Sequence, residues 1–162
     1  MLPELTIRLA RPEDVDEIMS IALMACEENG FVNPNPLKLL YEIWPALNQD
    51  HGLIGMIGGF GEPIEGVVLL RIGSVWYGDA PLLEEKAIFV HPDYRAAKGG
   101  RAARLCEFSK HVSDELGIPL TIGVLSHERT RGKIKMYTRI MGEPAGAYWL
   151  YGAKTGEFGT PV

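Results

Sequence analysis

In the stretch VHPDYRAAKGGRAARL, Val90 to Leu105, an apolar strand runs into a helix, and the junction holds Arg95, Ala96, Ala97, Lys98, Gly99, Gly100 and Arg101. At the start of a helix the first backbone N–H groups have no intrahelical partner, and the peptide dipoles add partial positive charge. A sharp turn just before that point makes more N–H groups converge into an anion cradle. Glycine permits such a turn and lets a ligand approach the backbone, while Arg95, Lys98 and Arg101 bring mobile cations to the same place. The residue types and their spacing therefore predict a phosphate or diphosphate site. Other phosphate fingerprints fail: the chain has no G-x-x-x-x-G-K-[ST], and Gly59-x-Gly61 has Ile64 at the third glycine position and strands on both sides, as in a hairpin. Glu84 and Glu85 stand on the strand that enters the junction. Successive strand side chains face opposite ways, so only one of the two points into a given site.

The elements that position these residues follow from periodicity. Strands are predicted at Leu5–Ala10, Leu53–Ile57, Gly66–Trp76, the segment LLEEKAIFV, Leu120–Leu125 and the closing AYWLYG. Helices are predicted from Pro12 to Gly30, from Leu37 to near Pro45, behind the junction with Leu105, Phe108, Val112 and Leu116 as its apolar stripe, and over GKIKMYTRIMG. The order β-α-α-β-β-β-α-β-α-β requires crossovers and hairpins together, which means an α/β fold with a mixed central sheet and helices on both faces.

Composition bounds the function. The 162 residues are 46% hydrophobic and carry a net charge of -5, as in one soluble domain over 1–162, with 153–162 as a tail. The acidic balance disfavours nucleic acid and anionic membranes as partners. Cys26 and Cys106 suggest two reduced thiols in a cytoplasmic setting, and no signal peptide or membrane span is expected. The histidines His51, His91, His111 and His127 lack ligand spacing, so no metal is expected. Trp44, Trp76 and Trp149 read as core or interface residues.

The junction resembles motif A of the GCN5-related N-acetyltransferases, an apolar strand V-x-P-x-[YF]-R followed by [QR]-x-x-G-x-[GA]. Val90, Pro92, Tyr94, Arg95, Gly100, Arg101 and Ala102 match, whereas Lys98 stands where the motif's first glycine lies. The element order is similar from Thr6 to about Gly152. The resemblance implies the acyl-CoA N-acyltransferase fold and acetyl-CoA as co-substrate. It places the diphosphate on Arg95, Ala96, Ala97, Lys98, Gly99, Gly100 and Arg101, with the pantetheine arm pairing like an added strand with Ile88, Phe89 and Val90. It implies Glu85 as the general base, with Glu84 as second choice, and Tyr137 as the acid that protonates the leaving thiolate. Gly142 comes one residue late for the tyrosine motif, and Thr130 stands where an Asn is usual.

The implied reaction is acetyl transfer to a primary amine by direct attack in a ternary complex. The acceptor is a small-molecule or protein amine, to which Glu27 and Glu28 would offer negative charge. A homodimer is compatible with this reading. The alternative is a noncatalytic acyl-CoA-binding sensor or regulatory module built on the same cradle.

Overall fold

A single five-stranded sheet organises the protein in a computed structural model that describes residues 6–58, 63–95, 100–125 and 130–152. The strands are β1 (Ile7–Leu9), β2 (Gly52–Ile57), β3 (Gly66–Gly73), β4 (Leu82–Val90) and β5 (Leu120–Thr121), side by side in that order. Helices α1 (Val15–Asn29) and α2 (Pro36–Leu47) precede β2, α3 (Arg101–Leu116) joins β4 to β5, and α4 (Thr130–Met141) follows. β1 to β4 pair antiparallel and β4 pairs parallel with β5, so the sheet is mixed, as the element order predicts. None of the described helices is long and apolar enough to cross a membrane.

Period-2 alternation divides the core into two layers. Ile54 and Met56 of β2 and Val67 of β3 pack with Ile18, Ile21, Ile43 and Leu47 of α1 and α2. Ile57, Val68 and Leu70 face the other way, onto Leu105, Cys106 and Val112 of α3, with Tyr137 and Ile140 of α4 beside them. Asp14 anchors the entrance to α1: it is buried, accepts from Arg8 Nη1 and Nη2 at 2.9 and 3.1 Å, and accepts from the Arg11 N–H at 2.8 Å. The Arg8 guanidinium holds its carboxyl below the usual value. α2 starts at an Asn35 cap that accepts from the Leu37 and Lys38 N–H groups.

β4 breaks the alternation where it matters. Leu70 pairs with Glu85 but Leu69 pairs with Ala87, so Lys86 is the extra residue of a β-bulge. Leu83 faces α3, and beyond the bulge Ile88 and Val90 face α3 too, although an unbroken strand would send them to the opposite side. Phe89 turns to the α1–α2 layer.

Several predicted elements differ. α2 runs through Pro45 to Leu47, because Ile43, Ala46 and Leu47 are all buried against the sheet and that packing offsets the missing N–H. β3 ends at Gly73, and β5 is two residues long instead of reaching Leu125. AYWLYG, expected as a strand, has no strand pairing among the described residues. Its aromatic residues suit a strand, but β5 offers too short a ladder to dock on, and Trp149 is 87% exposed. Trp76, at 94% exposure, is likewise no core residue. The tail 153–162 and the Gly59–Gly61 turn lie outside the described residues.

Close strand contact predicts one stability result. A Cβ added at Gly52 would stand 2.5 Å from the Leu70 carbonyl oxygen on β3, where only backbone movement relieves it. Gly52→Ala is expected to lower the unfolding free energy by about 2 kcal/mol. A urea titration with an unchanged m-value and a lower midpoint checks this.

Candidate active site

The site arises because β5 leaves the sheet early. Glu84–Thr121 is the last β4–β5 pair, yet β4 continues to Val90. The His91 N–H donates to Glu65 O on the β3 side at 2.8 Å. By alternation, Ile88 and Val90 then turn their N–H and C=O groups toward the space that β5 vacates. A cleft of about 690 Å³ opens there, between the last turn of α1 (Ala25, Cys26, Asn29), the strand edge and Val124. A second arm of about 570 Å³ runs along Tyr94, Gly100, Arg101, Ala102 and Met136. The arms share Glu28, Ile88, Phe89, Arg95, Lys133 and Tyr137.

Glu85 sits at the neck of the first arm, opposite Leu70 on the face toward α3. The Gly123 N–H, on the chain leaving β5, donates to its Oε2 at 3.4 Å. Burial pushes its pKa from 4.5 to about 7, outweighing the Gly123 and Ile88 N–H groups and the Lys133 and Lys86 charges, which favour the carboxylate. Glu84 turns to the other face, where it forms an ion pair with Lys86 at 3.3 Å, and it is not among the described residues that line the cleft.

Tyr137 approaches the same neck from α4. Burial drives its phenol well above the usual value, and the Glu85 charge adds to this, so the hydroxyl keeps its proton. Burial also raises the thiols: Cys106 reaches about 11, and Cys26, on the cleft wall, is raised by burial and by Glu27.

The second arm ends at the N-terminus of α3. Gly100 stands there in the left-handed region at φ 57° and has no side chain with which to cap the helix, and the first residues of α3, from Arg101 to Ala103, line the arm. Ala96, Ala97, Lys98 and Gly99 lie outside the described residues. The two arginines expected as mobile cations are instead fixed. Arg95 donates from Nε to Val90 O at 2.9 Å and pairs with Glu28, while its guanidinium lies 5.0 Å from the Phe89 ring centroid. Arg101 pairs with Glu65 at 2.8 Å and lies over Tyr94. The arginines thus build the walls of the arm, and the N-terminus of α3 provides its electropositive end.

Sequence reasoning brought Glu85, Ile88, Val90, Gly100 and Tyr137 to this place but missed Lys133. Lys133 stands four residues before Tyr137, on the same helical face, and that spacing was a usable signal. His91 accepts from the Asp93 N–H and closes the turn after β4, and His127 lies outside the described residues.

No protein-family model matches the chain, and no curated protein is significantly similar to it in sequence. Solved structures do share its architecture. AAC(6')-Iy in complex with the bisubstrate analogue CoA-S-monomethyl-acetylneamine is 18% identical, with a TM-score of 0.69 over 92% of this chain and 97% of that one. A possible acetyltransferase from Clostridium difficile 630 is 18% identical, with a TM-score of 0.66 over 92% and 97%. Ribosomal-protein-alanine N-acetyltransferase from Brucella melitensis biovar Abortus 2308 is 16% identical, with a TM-score of 0.65 over 90% and 98%.

Proposed function

We propose that this chain, whose fold is that of the GCN5-related N-acetyltransferases, transfers an acetyl group from acetyl-CoA to a primary amine by direct attack in a ternary complex. The observation that carries this reading is the juxtaposition at one neck of a carboxyl with a pKa near 7 and a phenol that keeps its proton, beside a strand edge left open by β5.

The residues present fit an acyl-CoA. An extended amide-bearing arm finds backbone groups at Ile88 and the Val90 N–H, as an added strand would, while Val90 O is held by Arg95 Nε. The start of α3 at Gly100 and Arg101 lines the second arm and would face the diphosphate, and the segment Ala96–Gly99 completes that loop in the sequence. AAC(6')-Iy, which has this fold, was solved with CoA.

The chemistry then divides between two groups. An alkylammonium has a pKa near ~10 and is mostly protonated at neutral pH. Glu85, ionised above about 7, takes its proton and leaves a neutral amine to attack the thioester carbonyl. A C–N bond forms, the C–S bond breaks, Tyr137 donates its proton to the departing thiolate, and the nitrogen's remaining extra proton returns to the phenolate as the amide forms. The raised thiol pKa values of Cys26 and Cys106 argue against a cysteine-bound acyl intermediate.

The acceptor is a small-molecule amine in this reading, because the first arm is a cleft of about 690 Å³. Incubation with acetyl-CoA and a panel of polyamines, aminoglycosides and amino-acid esters is expected to release one free thiol per amide formed. CoA binding without thiol release for any amine or peptide favours the sensor module instead.

A further inference from the structure

Glu28 and Arg95 tie the two sides of the cleft together across 67 positions of sequence. Glu28 is the penultimate residue of α1, and Arg95 follows the turn at the end of β4. The Arg95 guanidinium is held at three points: Nη2 on Glu28 Oε2, Nε on Val90 O, and its face over Phe89. Val90 O belongs to the open strand edge, so Arg95 covers an acceptor that an incoming amide would use. The pair is unequal in access: the Glu28 side chain is 39% exposed and Arg95 15%. Glu28 and Arg95 both line both arms of the cleft.

Resting on the transfer reading above, we propose that Glu28 is the specificity residue that binds the ammonium of a cationic amine acceptor, and that Arg95 masks it until the acyl carrier's diphosphate draws the guanidinium away. A diphosphate at the start of α3 offers Arg95 more negative charge and more acceptor oxygens than one half-exposed carboxylate does. Its departure does two things at once. Val90 O becomes free for an amide N–H of the carrier, and the Glu28 carboxylate is left beside the first arm without its cation. A positively charged amine is the solute that restores neutrality there. The coupling is reciprocal: an amine that engages Glu28 also frees Arg95 for the carrier. The carrier and the cationic acceptor therefore bind with positive cooperativity.

Calorimetric titrations with coenzyme A and with spermidine, a compact cationic primary amine, test the proposal. The wild-type protein is expected to bind spermidine about fivefold tighter with CoA saturating than without it, the scale of one partly exposed ion pair. Glu28→Gln is expected to bind CoA about fivefold tighter than wild type, and to bind spermidine weakly whether CoA is present or not. Arg95→Gln is expected to reach the tighter spermidine affinity with no CoA at all. A role for the ion pair confined to stability would give none of these gains. Wild-type spermidine affinity that ignores CoA, or CoA affinity unchanged or weakened in Glu28→Gln, overturns the masking proposal and leaves the transfer reading standing. Failure of the wild type to bind CoA overturns both.

Discussion

Glu85→Gln is expected to lower kcat/KM for amine acylation by about 10²–10³-fold at pH 7, the usual range for loss of a positioned base, with CoA affinity little changed. Glutamine keeps the volume and the hydrogen bond from Gly123 but cannot take a proton. Wild-type kcat/KM should rise with pH through about 7 and level off above it, because only the ionised carboxyl serves as base and burial has moved its pKa there. The variant should lack that limb. A wild-type pH profile without it, or a variant of unchanged rate, removes Glu85 from the chemistry.

The same group makes an opposite prediction for stability. Its folded pKa of about 7 lies above the 4.5 of the exposed chain, so between those values the folded protein binds more protons than the unfolded one. Stability from this source is then full below about 4.5 and falls as pH rises through the folded value, by at most about 3 kcal/mol. Glu85→Gln removes that loss. The variant should therefore melt higher than wild type at pH 8 and nearly equal to it at pH 4.5, as differential scanning calorimetry at the two pH values would record. An inactive variant that is also the more stable one is the expected mark of a carboxyl kept buried for chemistry.

Tyr137→Phe is expected to lower kcat by about 10²-fold with little change in the KM for acetyl-CoA. The phenol sits on the apolar face of α4 and packs with the α3 layer, and phenylalanine preserves that packing. What is lost is the proton for the departing thiolate. The deficit should shrink with an acyl donor whose thiol is more acidic, since that leaving group needs less help. A loss of equal size with both donors would mean that the tyrosine acts through packing alone. Because burial and the Glu85 charge both raise its pKa, no second limb from this residue is expected in the profile at neutral pH.

Much of the architecture was legible in the chain. The apolar helical stripes and the glycine stops at Gly30 and Gly117 are local signals, and α1 and α3 end at those glycines as expected; the Asn35 cap, read as part of a turn, instead starts α2 one residue before Leu37. The strand before Gly100 and the helix after it were legible in the same way. AYWLYG failed because a strand is a statement about a partner, and residue preference cannot tell whether an edge is available to it. Pro45 failed as a stop because burial of Ile43, Ala46 and Leu47 outweighed a local preference.

The sequence by itself determined the order of elements as far as α4, the two apolar faces of the sheet and the small-residue junction ahead of α3, because each is set by neighbours within a few residues. Tertiary structure alone decided that Lys86 bulges, so that Glu85, Ile88 and Val90 share one face. It also decided that β5 parts from β4 after Thr121, and that Arg95 and Arg101 are claimed by Glu28 and Glu65. These depend on which groups from distant parts of the chain meet, and on the low polarity they meet in. That environment turns an ordinary strand glutamate into a carboxyl that titrates near 7.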